Sequence, residues 1–455
     1  MSEKRSTGTT STTDAEDVRV PRMNGAVLVT GVRPYGEAPC DLLIDGSIIA
    51  GVFDVALRPL VLSRVQPARV VEGDGLIVLP AFVDLHTHLR EPGGSDQETI
   101  ATGLAAAAAG GFADVFAMAN TDPVTDTPER VAWIRDQAAA VSRVRTHPVG
   151  AVTVGLGGAQ LAPIAELADA GVTLFSDDGR CVDDAGLMAA ALSEAAEHGA
   201  AIAQHAQAHA LAGAGQINAG FASERTGFAP WPVAGEAAVV ARDAVLAAET
   251  EGHLHVCHVS TARTLEVVRQ AKALGWPVTV EATPHHLMLS DDLAALGAPL
   301  FKVNPPLRSR ADVAALRRAV VDGTVDSIGT DHAPHTVAAK QCGWPLAAFG
   351  MTGLETALPV VASVLERDGE VDWRLLSRVM HDQPARIGGL PEVADQQVRA
   401  GDEATLVFVD DRAELTVNAA RQRTKALNTP FQGVTFRFAV VSTVIAGRQV
   451  HGDLL

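Results

Sequence analysis

The chain has 455 residues, 47% apolar and 20% charged, enough to bury a large core and to exclude disorder as its main state. Acidic residues outnumber basic ones 54 to 36, a net charge of −18, which argues against nucleic acid and anionic membrane as partners. No run of about 18 apolar residues marks a membrane span.

The N-terminal MSEKRSTGTTSTTDAEDVRV lacks the apolar segment of a secretory signal, and its Ser/Thr/Asp content predicts a disordered tail over 1–23. Residues 24–77 then carry short β-type runs, AVLVTGV, DLLIDGSIIAGVFD and ARVVEGDG, punctuated by turn residues with no long helical pattern between them. The same texture returns near the C-terminus in ATLVFVDD, VTFRFAVVSTVIAG and RQVHGDLL. Both ends are therefore expected to build one small β-sandwich from 24–77 and 386–455. The four cysteines, Cys40, Cys181, Cys257 and Cys342, show no CxxC spacing and are expected to be reduced thiols of a cytoplasmic protein.

The middle alternates between β-branched and Ala-rich segments. Eight apolar runs occur in order: LPAFVDLHTH, ADVFAMANT, VRTHPVGAVT, GVTLFSDD, AAIAQHAQ, GHLHVCHVST, WPVTVEATPH and VDSIGTDHAPH. Helical segments such as TIATGLAAAAAG and PIAELADAG separate them. Eight such alternations predict an α/β fold, a (β/α)8 TIM-type barrel over 78–385. Nearly every run ends in His, Asp or Asn, at the end of a barrel strand where catalytic groups gather.

His86 and His88 stand two apart on the first run, so a strand points both to one side, where they can meet one metal ion. Asp177-Asp178, His205, His258 and Asp331 follow at the ends of runs four, five, six and eight. Read singly, each has an ordinary explanation: a surface histidine pair, an Asp-Asp-Gly turn, a buried hydrogen-bonded histidine, a strand end before a Pro turn. Together they form a nitrogen and carboxylate set suited to zinc. Six such ligands with one bridging carboxylate serve two ions about 3.5–4 Å apart.

This pattern resembles the amidohydrolase superfamily. Within it, DLHTHLREP and GTDHAPHTVAAK resemble the two signature segments of the dihydroorotase family, and NPPLR (304–308), ATPHHL (282–287) and MANT (118–121) are similar to further family segments. The resemblance runs from about residue 24 to the C-terminus. It implies two zinc ions, one held by His86, His88 and Asp331, the other by His205 and His258, with Asp178 as the bridge. It further implies reversible cyclisation of N-carbamoyl-L-aspartate to dihydroorotate by a metal-bound hydroxide, with Asp331 as proton shuttle. Substrate contacts fall on His88, Arg90, Asn120, Asn304, His335, Phe349 and Gly350, and 336–348 corresponds to a mobile loop in which Lys340 is either solvated or functional. Ala81, Ala119 and Gln207 depart from residues common in the family. Hydantoinase-like and allantoinase-like relatives bridge their metals with a carboxylated Lys, and this chain has no Lys between His88 and His258. A cyclic amidase of that kind is the alternative, beside a non-catalytic partner of aspartate transcarbamoylase. A homodimer and a complex with aspartate transcarbamoylase are the assemblies that the resemblance admits.

Overall fold

A computed structural model describes residues 25–455, so the expected tail over 1–23 lies outside the described residues. Each of the eight apolar runs contains a strand: β1 Phe82–Thr87, β2 Phe112–Ala117, β3 Arg145–Pro148, β4 Leu174–Phe175, β5 Ala201–Gln204, β6 His253–Val256, β7 Val278–Ala282 and β8 Ser327–Ile328. β1, β2 and β3 pair in parallel, as do β4 through β8 in order. Parallel bridges between Gly150 and Phe175 and between Thr87 and His332 join the two arcs into a ring. Each strand is short, so a few backbone bonds per element define the ring and side-chain packing does the rest. Phe82, Val115, Ile202, Leu254 and Val280 pack against helix residues such as Leu104, Leu192, Val240 and Leu265 in the main core. Val83, Leu85, Phe116, Leu174 and Ala201 form a second cluster with Ala385 and Ile387.

Among the Ala-rich connector helices, some begin at a capping side chain. Helix Ile100–Ala109 starts at Thr99, whose hydroxyl accepts from the Thr102 amide. Helix Ala185–Glu197 starts at Asp184, whose carboxylate accepts from the Leu187 amide.

Both chain ends enter one eight-stranded sheet. Strand Leu406–Asp410 runs antiparallel to Ile77–Pro80, pairing Leu406 with Pro80 and Val409 with Ile77, and so splices the C-terminal strands onto the N-terminal ones. Val29, Leu42 and Ile44 share a core with Val78, Leu406, Phe408 and Val444. An eight-residue helix, Arg58–Val65, interrupts the N-terminal strands, where the sequence pattern showed no long helical period. Pro59 opens it, and Val61 and Val65, one turn apart, bury against Leu28 and Leu43 of the sheet. Two buried positions in eight are too few to register as a period.

Candidate active site

The ligand-type residues all follow the C-terminal ends of barrel strands: His86 and His88 on β1, Asp178 after β4, His205 after β5, His258 after β6 and Asp331 after β8. They meet at a cavity of about 190 Å³. Every candidate residue read from the sequence lines it except His86, which is fully buried beneath.

The spacing is that of side chains gathered around cations. His88 Nε2 lies 3.2 Å from Asp331 Oδ1 and 3.4 Å from Asp178 Oδ2. His86 Nε2 lies 3.4 Å from Asp178 Oδ1 and 3.6 Å from Asp331 Oδ1, yet makes no hydrogen bond. A buried, unpartnered imidazole nitrogen facing two carboxylates is what a metal ligand offers. His205 Nδ1 lies 3.1 Å from Asp178 Oδ1 and 3.0 Å from His258 Nε2. Ligand atoms of His86, His88 and Asp331 lie within 4.8 Å of one another, as do those of His86, Asp178 and His258. Asp178 touches both groups, the position of a bridge.

The electrostatics fit the same reading. Burial opposes ionisation of Asp178 and Asp331, but the surrounding histidines outweigh it and hold both carboxyls below their ordinary range. Burial likewise opposes a charge on His86, and the Asp178 and Glu281 carboxylates reverse that, pushing it well up. The site is built to keep positive charge between its carboxylates.

Backbone strain gathers here. Arg90, His258 and Asp331 hold left-handed φ angles of 61°, 34° and 46°. Non-glycine residues in that region cost free energy, and such positions cluster at functional sites.

Arg90 donates from Nε to the Pro334 carbonyl at 3.2 Å, and among the described residues no carboxylate lies within ion-pairing distance of it. Burial lowers its pKa to about 10, so it stays charged at neutral pH. A half-buried guanidinium with free N–H groups at a cavity wall has the donor geometry to pair with a carboxylate. Asn304 presents a buried Oδ1 without a partner, while its Nδ2 donates to Gln207 Oε1 at 2.7 Å. Asn120 Oδ1 lies 3.0 Å from His88 Nδ1 and fixes that ring. Burial, then the Arg90 charge, lower the His335 pKa to about 3, and its Nε2 sits 2.6 Å from the Phe349 carbonyl.

Two expectations need comment. Asp177 accepts from the Val152 and Thr153 amides at 2.8 and 3.0 Å and from the Thr153 hydroxyl, so it braces a turn and leaves the cavity to Asp178. Lys340 is not solvated. It is buried, and its Nζ donates to the carbonyls of Lys302, Ala348 and Gly350 at 3.1, 2.9 and 3.0 Å. Three carbonyl acceptors replace water around the ammonium.

The sequence reading missed Glu281. This fully buried carboxylate lies 2.6 Å from His86 Nδ1 and 3.3 Å from His255 Nε2, and accepts from the His258 amide at 3.3 Å. By taking the Nδ1 proton it leaves His86 Nε2 free as an electron-pair donor. Gly329 makes room for it, because a Cβ there would sit 2.2 Å from Glu281 Oε2. The available signal was a lone acidic residue inside the apolar strand VTVEA. Glu281→Gln keeps the shape and removes the charge, and is expected to weaken metal binding about 10- to 100-fold. Chelator competition measures this, and an unchanged metal affinity would remove Glu281 from the candidate metal site.

A family model described as dihydro-orotase-like matches residues 75–264. The chain is 45% identical over 430 residues to the dihydroorotase of Streptomyces coelicolor, covering 94% of this chain and 98% of that one. It is 43% identical over 431 residues to the dihydroorotase of Mycobacterium tuberculosis, covering 94% and 99%. The chain belongs to the dihydroorotase family. Full-length similarity to family members matters here, because the matched family model ends before Asp331 and His335. Among solved structures, L-hydantoinase from Arthrobacter aurescens superposes with a TM-score of 0.82 at 26% identity, over 94% of this chain and 97% of that one. D-hydantoinase from Thermus sp. superposes at 0.79 with 21% identity, over 94% and 96%, a likeness of fold alone. The dihydroorotase family thus shares its barrel with cyclic amidases of other specificity. No helix among the described residues is long and apolar enough to cross a membrane.

Proposed function

We propose that the protein is a zinc-dependent cyclic amide hydrolase interconverting N-carbamoyl-L-aspartate and (S)-dihydroorotate plus water, a step of pyrimidine synthesis. The observation that carries this is the convergence of six ligand-type side chains beside one half-buried arginine with no carboxylate partner. His86, His88 and Asp331 would hold one zinc ion and His205 and His258 the second, with Asp178 positioned to serve both. Zinc bound there supplies Lewis acidity toward the ring carbonyl and brings the pKa of water to about 7.

The chain's own groups do the rest. Arg90 pairs with the substrate carboxylate through two parallel hydrogen bonds. Asn304 Oδ1, having no partner within the protein, accepts from a ring N–H. His335, Phe349 and Gly350 form the opposite wall, and Asn120 keeps the His88 ring in place. In hydrolysis Asp331 takes the attacking water's proton and returns it to the leaving ring nitrogen. Ring closure runs the same transfers backwards.

Closure converts a carboxylate into a neutral imide and consumes one proton. The ratio of dihydroorotate to carbamoyl-aspartate at equilibrium is therefore expected to rise about tenfold for each unit the pH falls across the neutral range. Chromatography of equilibrated mixtures checks this, and a pH-independent ratio would mean a different reaction.

The hydantoinase-like alternative is disfavoured by one feature. The bridging position carries Asp178, and no Lys lies between His88 and His258 to be carboxylated. The deciding experiment pairs metal analysis with dihydroorotate hydrolysis followed by ultraviolet absorbance. Two zinc ions per chain and a loss of activity on chelation, restored by zinc, are expected. Hydantoin turnover without dihydroorotate turnover would overturn the reading.

We also read the end-built sheet as a small sandwich over 24–77 and 386–455 that flanks a barrel over 78–385, in a cytoplasmic enzyme with thiols unpaired as found here. Association as a homodimer or with aspartate transcarbamoylase is tested by size-exclusion with and without that enzyme.

A further inference from the structure

Between strands Leu406–Asp410 and Ala439–Ile445 the chain leaves the sheet and returns to the barrel mouth as a strap, 423–428. Two carboxylates pin it, the half-buried Glu355 and the fully buried Glu98. Glu355 accepts from the Arg423 and Thr424 amides at 2.8 and 3.1 Å. Glu98, eight residues beyond Arg90, accepts from the Lys425 amide at 3.0 Å and from the Thr424 hydroxyl. Lys425 Nζ adds a bond to the Ser95 carbonyl at 2.6 Å.

The strap delivers Asn428, which is buried. Its Oδ1 accepts from the His335 amide at 3.1 Å. Its Nδ2 donates to the Ala333 carbonyl at 3.0 Å and the Gly350 carbonyl at 3.2 Å. One amide thus staples the segment after β8 to the segment carrying Phe349 and Gly350, the two sides of the substrate cavity. The segments approach closely at Gly350, where a Cβ would meet the Ala333 Cβ and His335 Nε2 at 2.8 Å. His335 and Asn428 also line a second, open cavity of about 460 Å³, so this wall has a void on part of its far side. The hydrogen bonds of Asn428 add to those that His335 and Lys340 make to the Phe349 and Gly350 carbonyls.

We infer that Asn428 is a positioning residue for the substrate cavity, acting from the C-terminal part of the chain by setting the distance between the His335 and Phe349–Gly350 segments. It touches neither substrate nor ligand residues. This rests on the cavity being the dihydroorotate site.

The test uses the metal-loaded full-length enzyme with Asn428→Ala and Asn428→Asp. The second keeps the size and the acceptor for the His335 amide, but turns a carboxylate toward two carbonyls. Both are expected to raise KM for dihydroorotate roughly 10- to 100-fold, because buried backbone groups lose their partner. The value of kcat should stay within about threefold, since the loss falls on ground state and transition state alike. Zinc content should not change, and deuterium uptake across 333–352 should quicken. An unchanged KM in both variants, or a fall in kcat at constant KM, overturns the proposal. If the variants do not fold, Thr424→Val loosens the strap at Glu98 while keeping its shape. A KM rise of several-fold is then expected, and none would overturn the idea. Should the unmodified enzyme fail to turn over dihydroorotate, the functional reading falls and deuterium exchange alone decides the strap. Unchanged exchange across 333–352 would then overturn it.

Discussion

Replacing Asp331 with Asn is expected to lower turnover by about 10²–10⁴-fold in a protein that still folds. Asn tolerates the left-handed backbone that Asp331 adopts at φ 46°, so the substitution adds no strain. It keeps the side-chain volume and one oxygen 3.2 Å from His88 Nε2, but an amide cannot take up a proton at neutral pH. The surroundings make that loss costly. Asp331 is ionised despite burial because His88 and His86 stabilise the charge, and no other carboxylate except Asp178 lines the cavity. Metal bound at the proposed site of His205, His258 and Asp178 should remain, since none of those residues is altered. Metal content with kcat across pH measures the outcome, and the acidic limb of the profile should vanish from any residual activity. Near-normal turnover with metal bound would take the shuttle away from Asp331. His335 is then the next group to test.

Arg90→Lys is expected to raise KM for both substrates by roughly 10- to 150-fold, the equivalent of about 1.5–3 kcal/mol of charge-assisted hydrogen bonding. Arg90 already spends Nε on the Pro334 carbonyl, which leaves the two terminal nitrogens as a planar fork toward the cavity. An ammonium is a point charge and cannot make the carbonyl bond and the paired bonds together. The substrate carboxylate is not at the bond being broken, so binding should suffer more than chemistry. Initial-rate kinetics in both directions measure this. A KM unchanged in both would remove Arg90 from carboxylate recognition and leave the cavity without its proposed anion receptor.

How much of this was legible in advance follows physical lines. His86 and His88 could be placed on one side of a strand because a residue period of two is a property of the extended backbone itself. The eight β-branched runs and their polar ends were equally local, and each contains a strand in the expected order. The assignment of metal and substrate roles to Asp178, His205, Asn304 or Gly350 came from resemblance. The structure adds that these residues reach one cavity from strand ends far apart in the chain.

Other features depended on partners that no local pattern announces. Glu281 meets His86 across 195 residues, and Asn428 meets His335 across 93. From sequence Lys340 is either solvated or functional, because lysine is rarely buried and nothing nearby in the chain offers it a carboxylate. Only the fold brings three carbonyls around its ammonium. Helix Arg58–Val65 exists because a sheet face is there to receive Val61 and Val65. The sequence alone determined the barrel's strands, their order and the ligand-type residues at their ends, since those rest on backbone geometry and residue chemistry. Tertiary structure decided which buried polar groups hold those residues in place, because a hydrogen bond between distant segments is specified by where the chain returns and not by what stands beside it.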